Sequence, residues 1–92
     1  MEDSYFTKIE RQFEMVLDAL AGQLSPTERS EVVEFIDVGE FGIALETLSS
    51  LLIEERKQIP AVAFTQMIEL ADSMEIRAST ITEELRSQVI PE

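Results

Sequence analysis

The sequence predicts an all-α fold, a compact bundle of four to five short antiparallel helices. Apolar residues recur at steps of three and four along most of the chain. Helix starts and stops are spelled out by Ser, Thr, Pro and Gly at the joints between those stripes. No stretch keeps the period-two alternation of a half-buried strand. The joints are short, so sequential neighbours are expected to pack roughly antiparallel.

A first helix carries Phe6, Ile9, Phe13, Val16, Leu17, Leu20 and Leu24 on one stripe. Asp3 or Ser4 can cap its start, and Gly22 loosens its end. Ser25-Pro26-Thr27-Glu28 then reads as a capping box with Pro at the first helical position, where a missing amide donor costs nothing. Val32, Val33, Phe35 and Ile36 make this second helix apolar around much of its circumference. It should stop at Gly39, a natural left-handed terminator.

The third helix begins within a residue or so of Gly39, and its stripe is Phe41, Ala44, Leu45, Leu48, Leu51 and Leu52. Gly42 and Ser49 lie on a neighbouring strip, where small side chains would let another helix come close. Ile43 and Ile53 fall off the stripe and either meet a second neighbour or belong to an exposed patch. Glu54 to Gln58 is polar and reads as a helix end running into a loop. Pro60 opens a fourth helix with Phe64, Met67, Ile68, Ala71 and Met74 inward. Thr80-Ile81-Thr82-Glu83 is a second capping box, opening a last short helix with Ile81, Leu85 and Val89 on its apolar side and Pro91 as its stop. The methionines, Met15 included, and the five phenylalanines read as core.

Ninety-two residues, 45% of them hydrophobic, suit one domain over 1–92 with a modest core. Nineteen acids against seven basic residues leave a net charge of −12. Such a chain repels nucleic acid and anionic membranes, and its charge either favours a cationic partner or serves only to keep the protein soluble. With no cysteine and no histidine it lacks disulfides, a thiol nucleophile, cysteine zinc sites and the commonest neutral-pH base. The N-terminal residues lack the basic and apolar regions of a secretory signal, and no apolar run is long enough to span a bilayer, so a cytoplasmic location is expected.

Two further patterns were weighed for chemistry. Asp72-Ser73-Met74 is similar to the Asp-Ser-Leu on which acyl carrier proteins bear phosphopantetheine, but here it falls near the end of a helix rather than at its start. Glu28, Glu31, Glu34 and Asp37 are spaced three apart on a helix, which matches neither a calcium loop nor a Glu-x-x-His metal site. No catalytic residue, metal or cofactor is expected. The acids read either as an ordinary solvated face or, more sharply, as an electronegative recognition stripe.

Residues 31 to 76 resemble the MafI-type family of small bacterial immunity proteins. The resemblance rests on Ile36-Asp37-Val38-Gly39-Glu40, then Phe41, Gly42 and Ala44-Leu45-Glu46-Thr47-Leu48. Glu54-Glu55, Ile59-Pro60 and the stretch from Ile68 to Met74 are similar in kind. It implies a helical inhibitor, without enzymatic activity, of the C-terminal domain of a secreted polymorphic or contact-dependent toxin, commonly a nuclease. A basic RNase or DNase domain is the partner that the charge would suit. Glu31, Glu34, Asp37, Glu40 and Glu46 are then the candidate partner-binding residues. The alternative is an acidic helical adaptor or subunit of another protein complex.

Overall fold

Ser4 accepts a hydrogen bond from the Thr7 amide at 3.1 Å, and a helix starts behind it. In the computed structural model, which describes residues 4 to 91, this is α1, Tyr5–Ala19. Asp3, the other candidate cap, lies outside the described residues. Then come α2 (Pro26–Asp37), α3 (Phe41–Glu54), β1 (Ile59–Pro60), α4 (Ala61–Ser73), α5 (Arg77–Thr80), α6 (Glu83–Arg86) and β2 (Val89–Ile90). The all-α class stands. Among the described residues the bundle is four helices of three or more turns, with the expected last segment split into two single-turn helices.

The Ser25 box forms in full. The Glu28 amide donates to Ser25 Oγ at 3.1 Å, and the Ser25 amide donates to Glu28 Oε1 at 2.9 Å. At the other end of α2, Gly39 sits at φ +79. The Glu40 amide reaches the Phe35 carbonyl at 2.8 Å and the Gly39 amide the Ile36 carbonyl at 3.0 Å, the paired bonds of a Schellman stop. The same pattern ends α3, where Lys57 bonds back to Leu52 and Arg56 to Ile53. It recurs after α4, where Ile76 bonds back to Ala71 and Glu75 to Asp72. At those two stops the left-handed position holds Arg56 and Glu75 rather than glycine.

Packing departs from the expectation that each helix lies against the next. α2 packs on α3 across the Gly39 turn, but α1 packs chiefly on α4. The core runs between the two pairs. All six residues of the α3 stripe are buried, and five of them, all but Leu51, join Ile9, Phe13, Val16, Leu17 and Leu20 of α1 and its C-terminal turn in one core. Met67, Leu70 and Ala71 close it from α4. Truncating a buried leucine such as Leu45 to alanine would cost about 2–5 kcal/mol.

Several inward assignments are corrected. Phe6 is 60% exposed; the end of the α1 stripe has only Tyr5 and the edge of Phe41 to lean on, the Phe6 and Phe41 ring centroids being 5.6 Å apart. Met15 is 52% exposed because it lies on the far side of α1 from Ile9, Phe13 and Val16. A Cβ on Gly42 would meet nothing within 4 Å, so no element approaches closely there. Ser49 does sit at a close approach, with its buried hydroxyl donating to the Thr80 carbonyl at 2.7 Å.

The C-terminal capping box does not form, and a single cap stands two residues later. Thr82, not Thr80, accepts from the Leu85 amide, at 3.2 Å. Thr80 is buried as the last residue of α5, and its hydroxyl donates to the Ile76 carbonyl at 2.8 Å. Val89 belongs to β2, and Pro60 lies in β1 before α4 begins at Ala61. The two short strands pair in parallel, Ile59 with Val89 and Pro60 with Ile90, which corrects the expectation of a strand-free chain. Two-residue strands hold no alternation for a sequence pattern to show. Gln88 fastens this tail: its Nε2 donates to the Leu52 carbonyl at 2.6 Å, which also accepts from the Lys57 amide, and to the Lys57 carbonyl at 2.8 Å, just beyond α3.

Candidate protein-binding surface

Steps of three along an α-helix drift by about 60° each, so neighbours in such a run share a face but the whole run does not. That drift decides where the candidate acids of α2 point. Glu31 turns toward α3 and lines a groove between the two helices with Glu28, Glu46, Glu54 and Glu55. Asp37 is carried round to the opposite flank of α2 and lines a second cleft, against α1. Glu34 is exposed between the two, on the outward side of the helix. Glu40 is exposed at the N-cap of α3, where its side chain makes no capping bond. Of the five candidates, the structure therefore brings only Glu31 and Glu46 together.

The α2–α3 groove has a volume of about 500 Å³ and is walled by five carboxylates. Ile43 stands in it at 43% exposure, with Leu51 and Thr47 beside it. This settles the position of Ile43 as an exposed patch, whereas Ile53 packs partly buried against the core. Glu28, Glu54 and Glu55 were not among the candidate binding residues. Glu28 had a ready explanation as a cap, and the other two as a polar helix end.

Glu28 does two jobs. Its Oε1 accepts from the Ser25 amide and also meets Lys57 Nζ at 3.0 Å, tying the start of α2 to the end of α3. The Ser25 amide first, and then Lys57, hold the Glu28 carboxyl below its ordinary value of 4.5. It is the one groove acid for which an ion pair is seen among the described residues.

The placement of the acids works against the helices that carry them. α1, α2, α3 and α4 have no basic residue in the last turn, while Asp18, Asp37, Glu54 and Asp72 stand there. Carboxylates at the negative end of a helix dipole are unfavourable. Asp72 is relieved by Arg77, whose Nε donates to Asp72 Oδ1 at 2.8 Å and whose second nitrogen bonds Oδ2. The Arg77 guanidinium holds Asp72 below the usual carboxylate range, and Asp72 in turn raises Arg77. Ser73 beside it is the last residue of α4, a helix end rather than the helix start on which a carrier serine stands.

Among the described residues no group of acidic side chains is placed to hold a metal ion, and no helix is long and apolar enough to cross a membrane. Compared with protein-family models, with curated proteins and with solved structures, the chain matches none.

Proposed function

We propose that this chain is an immunity protein that binds and neutralises the C-terminal toxin domain of a cognate secreted polymorphic or contact-dependent toxin, a basic nuclease. The observation that carries the proposal is the α2–α3 groove, where five carboxylates surround one exposed aliphatic side chain, Ile43. A nuclease site is a field of Lys, Arg and His arranged for phosphates, and carboxylates on rigid helices can occupy that field. Charge of this kind steers encounter, with association rates that reach about 10⁸ M⁻¹s⁻¹ at low salt. A buried anchor sets residence time, and Ile43 is placed for that role. The resemblance of residues 31 to 76 to MafI-type immunity proteins supplies the partner class. The same surface on a different basic protein would be the adaptor reading.

The test is association with the C-terminal domain of a secreted toxin, should a gene for one stand beside this chain's own. Reversal of Glu31, Glu46 and Glu54 to Lys should leave the helical circular dichroism unchanged, slow association by roughly tenfold or more at low salt, and remove protection of cells. Ile43→Asp should act mainly on dissociation. A triple variant that binds and protects like the wild type would overturn the proposal.

A further inference from the structure

Because α1 pairs with α4 and α2 with α3, the flanks of α1 and α2 are not each other's main packing partners. A cleft of about 360 Å³ lies between them. Its inner wall is Phe13 and Leu17 of α1 and the half-buried Val33 and Ile36 of α2. Its rim carries Glu10, Glu14 and Asp37, against the single cation Arg29. The cations of α1, Lys8 and Arg11, line a separate hollow with Tyr5 and Gln12. Glu10 and Glu14 stand one turn apart on the same side, a like-charge pair that disfavours α1 in isolation.

An aliphatic wall under an acidic rim, bounded by two helices, has the complement of a third helix that is apolar on one side and cationic on its shoulders. We infer that the α1–α2 cleft is a second docking groove, which takes a cationic amphipathic helix of the basic partner proposed above; the inference rests on there being such a partner. Leucine-sized side chains of that helix lie on Val33 and Ile36. Its Lys and Arg stems cross the rim, and their heads reach Glu10, Glu14 and Asp37. Outward-facing Glu34 then sits between two occupied grooves, and the partner straddles α2.

The probe is a synthetic helical peptide of leucines at i, i+3, i+4 and i+7 with lysines elsewhere, beside a peptide of the same composition in scrambled order. Amide-shift mapping on the intact chain at low salt should place the first peptide at Glu14, Val33, Ile36 and Asp37. The scrambled peptide should bind about tenfold more weakly. Glu10→Gln, Glu14→Gln and Asp37→Asn together should weaken binding several-fold more than Glu31→Gln, Glu46→Gln and Glu54→Gln, which remove the same charge. Equal binding of both peptides, or shifts confined to the Ile43 groove, would overturn the inference and leave the proposed toxin partner standing. So would sedimentation showing that the cleft is filled by a second copy, as a dimer lost in the Glu10, Glu14 and Asp37 variant. Loss of toxin binding in the Glu31, Glu46 and Glu54 variants tests the other groove alone.

Discussion

Gly39, Arg56 and Glu75 occupy the same backbone position at three Schellman stops, with φ of 79, 52 and 60. An L side chain in that region is disfavoured by about 1–2 kcal/mol against its α and β alternatives. A Cβ at Gly39 would meet nothing within 4 Å, so Gly39→Val is a pure backbone test. It should destabilise by about 1–2 kcal/mol in urea titration, and Gly39→Asn by less. The reverse change is expected to help. Arg56→Gly and Glu75→Gly should each raise stability, by up to about 1 kcal/mol, and a loss at both positions would show that their side chains do more than occupy a strained site. Only the first of the three stops could be read from residue type. Glycine announces a left-handed position, whereas arginine and glutamate are as much at home inside a helix, so only the polarity of Glu54 to Gln58 marks the end of α3.

At the scale of elements, local signals were legible and distant ones were not. The Ser25 box, the Gly39 turn and the α3 stripe are each carried by residues within a few turns of one another, and all stand where the sequence put them. The pairing of α1 with α4, the two-residue parallel strands and the Gln88 bonds join segments tens of residues apart and leave no periodicity to find. The binding surface was half legible for the same reason. The acids could be counted, but which of them converge depends on the drift of a three-residue spacing around α2 and on which helix lies beside it. Gln88→Ala should cost about 1–3 kcal/mol, because it strips the side-chain donor from the Lys57 carbonyl and one of two donors from that of Leu52. Hydrogen exchange should then quicken at Ile59, whose amide bonds to the Gln88 carbonyl at 2.9 Å, before it quickens in α1. Glu28 gives this corner a pH dependence. Its folded value is lowered, so its contribution is present above 4.5 and is lost as pH falls through the folded value. The stability difference between wild type and Glu28→Gln should therefore shrink on acidification from pH 7 to pH 3, and a constant gap would mean that the carboxylate charge is not what joins Ser25 to Lys57.

For the whole molecule the net charge of −12 acts on folding and on binding in opposite senses. Within the chain it is self-repulsion, spread over a body with a radius of gyration of 12.3 Å, comparable with the screening length of about 10 Å at 0.1 M salt. Toward a basic partner the same charge is attraction, and salt weakens that too. Raising sodium chloride from roughly 20 mM to 500 mM should thus lift the folding midpoint while slowing association. A stabilisation of about 1 kcal/mol would appear as a Tm rise of roughly 4–8 °C for a domain of this size. The Glu28–Lys57 and Asp72–Arg77 pairs oppose the trend, since salt screens attraction as well, but two surface pairs are too few to outweigh nineteen acids. Reversing Glu31, Glu34 and Asp37 to Lys separates the two effects. It puts cations on both flanks and the crest of α2, so the variant should melt higher than the wild type at low salt and, if the proposed toxin domain is the partner, bind it far more slowly. If that variant melts lower, the acids of α2 hold the fold rather than a partner, and their charge has a structural role that the helix ends alone do not explain.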